Sequence, residues 1–194
     1  MPKVVDKITK RKDIAKSTCN LFIEEGFVNI SISQIAKVAG IGKGTIYEYF
    51  KNKEDIVFEL MSCLQEDYDP KLELNLKESI DTKQKVIYLF NIFLSDDETI
   101  QTQRKIYKEF LAIYLSNPSQ EIVEYHLELK NKYSLVLSDI LNEAIKNDEI
   151  LELAIEFVPS LFATLEGFFI TSEDSKKDIL DYIDNLFILL KKNN

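Results

Sequence analysis

The chain has 194 residues, of which 45% are hydrophobic and 29% charged, with 5 Gly and 4 Pro. This length and composition support a packed core and exclude collagenous, low-complexity and disordered classes. Two cysteines, Cys19 and Cys63, and one histidine, His126, supply neither a four-ligand zinc cluster nor a secreted-type disulfide framework. The net charge of −9 hides a division by sign: residues 1–53 carry 10 Lys+Arg against 5 Asp+Glu, and the remainder is strongly acidic. The first residues lack a signal-type apolar core, and the longest uncharged stretches run only about 9 to 11 residues against the roughly 18 of a membrane span. A cytoplasmic, soluble protein without a membrane partner is expected.

From the N-terminus, Ile8, Ala15 and Phe22 recur every seven residues, with Ile14, Thr18, Cys19 and Leu21 widening the stripe. This predicts one helix from about Val5 or Ile8 to Glu25, closed by Gly26 with Phe27 as the apolar contact that follows it. Ser31-Ile32-Ser33-Gln34 matches a capping box and opens a short second helix with Ile35, Val38 and Ala39 inward and Gly40 as its stop. Gly40-Ile41-Gly42 leads into Lys43–Phe50. At about 100° per residue, Ile46 and Phe50 share one face, Gly44, Thr45, Glu48 and Tyr49 turn away, and Tyr47 lies on the border. Two helices joined by a tight glycine turn, the second exposing polar groups beside Lys43, Lys51 and Lys53, make a helix-turn-helix.

After residue 70 the chain shows apolar-periodic segments broken at Pro70, Ser79–Thr82, Asp96-Asp97, Asn117-Pro118, Asn147-Asp148 and Ser172–Ser175. Helices are predicted over 82–95, 98–116, 118–147, 149–171 and 175–192. Asn117 is read as a cap with Pro118 at the first helical position, and Pro159 as a kink. No sustained period-2 alternation occurs, so the fold class is all-α. The last helix has a stripe of Ile179, Ile183, Leu186, Phe187 and Leu190, with Leu180, Ile188 and Leu189 left over on another face. Two apolar faces call for a second subunit and a two-fold four-helix interface.

The segment SISQIAKVAGIGKGTIYEYF (Ser31 to Phe50), followed by KNKEDIVFELM, resembles the DNA-binding domain of the TetR family of repressors; the likeness covers about Lys7 to Asp67. The resemblance implies a DNA-binding domain at 1–52, with its helix-turn-helix at about 31–50. It implies a ligand-binding and dimerisation domain at 53–194, linked through a helix over 53–67. It further implies that Lys43, Gly44 and Thr45 approach DNA, that Tyr47 and Tyr49 touch phosphates, and that Lys53 anchors the backbone. Base readout would fall to Thr45 on a thymine methyl, Lys43 on guanine and Glu48 on cytosine. Ser33, one turn into the second helix, reaches toward phosphate, whereas Ser31 is a cap. Gly42 stands where the family commonly has serine, which removes a capping hydroxyl at small cost.

Partners implied are a double-stranded operator, a second identical subunit and a small-molecule effector. Aromatic positions Tyr88, Phe90, Phe93, Tyr107, Phe110, Tyr114, Phe162 and Phe169 are candidates to line an effector site or to form ordinary core, and His126 is a weaker candidate. No metal or cofactor is expected. KVAGIGKGT (37–45) fails the phosphate-loop pattern, with Lys37 and Gly44 in the wrong places and no preceding strand, and no nucleophile elbow occurs. The expectation is a regulator and not an enzyme. The alternative is a helical ligand-binding or scaffold protein without DNA binding.

Overall fold

The computed structural model describes residues 3–79, 81–116 and 118–192, and helices dominate throughout. The helices are α1 (Lys3–Ser17), α2 (Cys19–Glu25), α3 (Ile32–Val38), α4 (Lys43–Tyr49), α5 (Glu54–Glu78) and α6 (Thr82–Leu89). They continue as α7 (Asn91–Leu94), α8 (Glu98–Ser116), α9 (Gln120–Lys146), α10 (Val158–Thr171) and α11 (Ser175–Leu190). Short 3-10 helices occupy Phe27–Asn29 and Glu152–Phe157. Among the described residues the one β-type pairing is an isolated bridge between Ile150 and Lys191.

The chain divides into two compact units, residues 1–69 with 97–123 and residues 70–96 with 124–194. This differs from the expected split after residue 52, because α8 packs on α2 and so belongs with the N-terminal helices. In the first unit Ile14, Ala15, Phe22, Ile35, Ile46, Phe50 and Leu60 form a closed core with Ile106 and Phe110. In the second, Val86, Phe90, Phe93, Leu141, Leu161, Leu165, Phe169, Ile179 and Ile183 do the same.

Several boundaries fall at the predicted breaks, where aspartates cap the helices. Asp81 accepts from the Gln84 amide at 2.7 Å, and Asp97 from Ile100 at 3.1 Å. Asp174 accepts from Lys177 at 3.1 Å. Asp148 takes a positive φ of 64° in the predicted turn. Other boundaries need correction. The single first helix is interrupted at Thr18, where the Thr18 hydroxyl donates to Ala15 O and the Ser17 hydroxyl to Ile14 O, each at 2.7 Å. Such back-bonding hydroxyls compete with the helical ladder.

Pro70 does not end a helix; it lies inside α5, which therefore runs past the expected 53–67 to Glu78, and the boundary between units falls at this residue. Pro159 does not kink a long helix either. It sits in the first turn of α10, where its missing N–H leaves no bond unmade. The expected helix over 82–95 is split at Phe90. The Asn117 cap lies outside the described residues, and Ser119 accepts from the Ile122 amide at 3.3 Å to open α9 at Gln120.

The stretch Glu152–Thr171 is apolar and long enough to be a candidate membrane span by length and composition, contrary to the expectation that none reaches that limit. The α-helical part, however, has 14 residues, about 21 Å of rise against a hydrocarbon core of roughly 30 Å. Val158, Leu161, Phe162, Leu165 and Phe169 are buried within its own unit.

Candidate nucleic-acid interface

The interface begins with two local devices legible in the sequence. The capping box at Ser31 forms: the Gln34 amide donates to Ser31 Oγ at 3.3 Å and the Ser31 amide to Gln34 Oε1 at 2.8 Å. At the other end of α3, Gly40 has φ 66°, its amide donates to Lys37 O at 3.3 Å, and the Ile41 amide donates to Ala36 O at 3.0 Å. That pair of bonds is a Schellman closure, and the positive φ is why glycine suits it. It turns the chain sharply into α4.

Gly42 caps α4 with extended backbone and no side-chain bond, as its lack of a hydroxyl requires. Ile46 and Phe50 are buried and fix one face of α4 to the unit. Lys43, Gly44, Tyr47 and Glu48 are exposed, with Tyr47 keeping 54% of its surface, while Thr45 and Tyr49 are half-buried. A Cβ built on Gly44 meets nothing within 4 Å, so the chain's own packing does not demand glycine there. Ser33 is exposed on α3, and Lys37, one turn further on, is exposed beside it; that i, i+4 spacing was available in the sequence, yet Lys37 was not among the expected contacts.

The positive charge of the first 53 residues is partly neutralised internally. Arg11 pairs with Glu59 at 2.5 Å, Lys12 with Glu66 at 2.6 Å and Lys16 with Asp67 at 3.4 Å, joining α1 to α5. Among the described residues, the exposed Lys37, Lys43 and Lys51 have no carboxylate partner, so α3 and α4 carry positive charge that the protein's own acids do not neutralise.

Lys53 is turned inward. Its Nζ donates to Phe27 O at 2.5 Å and Ile30 O at 2.8 Å, and lies 4.2 Å from the centre of the Phe27 ring. Burial pushes its ammonium below the usual lysine range, with the Glu54 charge opposing.

Residues 14–60 match the family described as bacterial regulatory proteins, tetR family. The chain is 30% identical over 151 residues to the fatty acid metabolism regulator protein of Bacillus subtilis, covering 75% of this chain and 73% of that one. The chain belongs to the tetR family. An HTH-type transcriptional regulator of Staphylococcus aureus is 32% identical over 135 residues, covering 64% of this chain and 69% of its own length. Two solved structures share the tetR-family fold at low identity. A transcriptional regulator from Saccharomonospora viridis in complex with choline has a TM-score of 0.77 at 16% identity, covering 94% of this chain and 98% of that one. A TetR transcription regulator from Haloarcula marismortui has a TM-score of 0.76 at 15% identity, covering 95% and 99%. The protein is thus a tetR-family transcriptional regulator with a helix-turn-helix DNA-binding domain, and not an enzyme.

The eight aromatic residues expected around an effector fall into both units, three in the first and five in the second. In the first, Tyr107 and Phe110 are buried on α8 with ring centroids 6.0 Å apart, Phe58 of α5 meets Phe110 edge-on at 6.2 Å, and Tyr114 is half-buried. In the second, Phe93 and Phe169 lie 4.9 Å apart, and Phe162 contacts Phe90 at 6.2 Å and Tyr133 at 6.4 Å. His126, buried on α9, is 3.1 Å from Glu166 Oε1 of α10. Sequence reasoning missed Gln103. It shares the α8 stripe with Tyr107, Phe110 and Tyr114, its Nε2 donates to Leu64 O at 3.2 Å, and its buried Oε1 has no hydrogen-bond partner among the described residues.

Proposed function

We propose that this regulator is a dimeric, sequence-specific repressor that binds a palindromic operator and releases it when a small molecule occupies the helical body. The observation that carries the DNA role is the two-sided α4: Ile46 and Phe50 lock one face while Lys43, Gly44, Thr45 and Tyr47 stand on the other. Lys43 and Lys37 neutralise phosphate, and the bare Gly44 lets the backbone approach closely. Thr45 offers a methyl to thymine, and Tyr47, Tyr49 and Ser33 offer hydroxyls to phosphate oxygens. Glu48 accepts from cytosine or turns aside. Residues 1–52 act as the reading head and 53–194 as the regulatory and dimerising part, although 53–69 and 97–123 of that part belong to the same compact unit as the head. A cytoplasmic location follows from this role.

Dimerisation is supported by Ile188 and Leu189, which keep 73% and 74% of their surface on α11 although both are large and apolar. Reading helices related by a two-fold axis address half-sites about one helical turn apart, roughly 34 to 36 Å. An effector role for Tyr107, Phe110 and Tyr114, and for Phe93, Phe162 and Phe169, is supported by their grouping, and Gln103 Oε1 supplies an acceptor for a ligand hydroxyl or amide. The relative named for fatty acid metabolism and the neighbour holding choline show what other regulators are linked to; this chain's effector is to be found by screening.

Nuclease protection on DNA flanking the protein's own gene, at two salt concentrations with a scrambled duplex as control, tests the reading. A two-fold symmetric protected site is expected. Absence of binding to any duplex at low salt would transfer the protein to the ligand-binding alternative.

A further inference from the structure

The turn between α2 and α3 is held from opposite sides by two side chains distant in sequence. The backbone amide of Phe27 donates to Glu109 Oε2 of α8 at 2.6 Å, and the carbonyl of the same residue accepts from Lys53 Nζ at 2.5 Å. Gly26, just before it, has φ 74° and ψ 152°, a conformation that favours glycine. A Cβ there would lie 3.7 Å from Glu109 Oε2, so the carboxylate rests directly on the turn. The 3-10 turn Phe27–Asn29 then delivers the buried Ile30 and the Ser31 cap of α3.

We propose that Glu109 is a positioning residue for DNA binding, gripping the Phe27 amide from α8 while Lys53 grips the carbonyl, so that α8 sets the placement of the helix-turn-helix. This rests on reading α3 and α4 as the DNA interface. The physical case begins with the bond type: a carboxylate accepting a half-buried backbone N–H is charge-assisted, shorter and stronger than a neutral hydrogen bond. The second part is placement. Lys53 follows the end of α4 by four residues and immediately precedes α5, and its ammonium also takes Ile30 O at 2.8 Å. The clamp thus ties the start of α3 to the chain leaving α4, and Glu109 fastens that assembly to α8. The third part is what else α8 carries. Tyr107 and Phe110 flank Glu109 on this helix, so a displacement of α8 reaches Phe27 through one side chain without travelling along α5. The same geometry assigns Lys53 to the clamp and not to phosphate.

The test uses full-length protein and an operator duplex obtained by protection or by selection from random duplexes. Glu109→Ala is expected to weaken operator binding about tenfold with the salt slope unchanged, since no phosphate contact is removed. Glu109→Gln, whose carboxamide oxygen still accepts, should stay within about threefold of wild type. Lys53→Met should likewise weaken binding without changing the slope, and the double variant should be no worse than the weaker single, because both act on one turn. Hydrogen exchange gives a second readout independent of DNA. The Phe27 amide is expected to be protected in the wild type, faster in Glu109→Ala and restored in Glu109→Gln. The proposal is overturned if Glu109→Ala binds like wild type, or if Lys53→Met lowers the slope by about one phosphate. Wild-type Phe27 exchanging as an unprotected amide would overturn it too, even if the alanine variant failed to fold. Failure of the wild type to bind any duplex would count against the DNA reading itself, while the exchange arm would still decide whether Glu109 holds the turn.

Discussion

Arg11 of α1 donates through Nη1 to the backbone carbonyl of Tyr49, the last residue of α4, and its guanidinium lies 4.3 Å from the centre of the Phe50 ring. Its Nε meets Glu59 of α5 at 2.5 Å. One side chain therefore caps α4, stacks on its anchor Phe50 and links both to α5. A carbonyl at a helix C-terminus lacks an intrahelical partner and carries partial negative charge, which a guanidinium satisfies. Arg11→Met is expected to reduce unfolding free energy by about 1 to 2 kcal/mol in urea titration. It should also weaken operator binding. Arg11→Lys should not restore either property, because an ammonium cannot supply the planar fork and the stacking together; full rescue by lysine would show that charge alone is needed.

Gly44 separates function from stability. It is exposed within α4, and a Cβ there meets nothing within 4 Å among the described residues. Gly44→Ala should raise stability by about 0.5 to 1 kcal/mol through helix propensity, and Gly44→Leu should fold normally. Both should bind operator less well, the leucine variant far less, because on the proposed reading the added atoms would occupy the space through which the backbone approaches phosphate. Tight binding by Gly44→Leu would move the DNA surface away from the start of α4.

Lys43 and Lys37 should both act on the salt dependence of operator binding. Each is exposed without a carboxylate partner among the described residues, so neither substitution breaks an ion pair. Lys43→Ala should weaken binding and reduce the slope of log affinity against log salt by about one unit. Lys37→Ala should do the same to a similar extent. Measured slopes equal to that of the wild type would remove these residues from the phosphate contacts.

What could be read from the sequence was local. The Ser31–Gln34 capping box, the closure at Gly40 and the buried pair Ile46 and Phe50 each involve residues within one or two turns of one another, so their pattern is carried by spacing. What could not be read depends on partners far along the chain. Lys53 looks like a surface lysine at a helix start until the carbonyls 23 to 26 residues earlier are placed beside it. Glu109 has no local signature at all, since its partner lies 82 residues away. Charge counting overstated the basic surface for the same reason: Arg11, Lys12 and Lys16 meet acids of α5 that follow them by about fifty residues. The two prolines misled in opposite ways. Pro159 marks the start of a helix, and Pro70 is accommodated within one.

The proposed dimer provides the last prediction. Ile188 and Leu189 project from α11, and on the neighbouring α10 the small residues Ser160, Ala163, Thr164 and Gly167 recur at three- and four-residue spacing along one face. Among the described residues nothing lies within 4 Å of a Cβ at Gly167, so the glycine leaves room for another backbone to approach. Apolar side chains beside a small-residue face suit a four-helix contact between two copies. Ile188→Asp combined with Leu189→Asp should keep wild-type helicity while sedimenting as a monomer at concentrations where the wild type is dimeric, because burying two carboxylates without partners is costly. Gly167→Leu should shift the same equilibrium by obstructing helix approach. Operator affinity should fall with dimer content, since one head alone contacts a single half-site and loses the gain from joint binding. A monomeric variant that still protects both half-sites at wild-type concentration would show that the two heads are joined through some other surface.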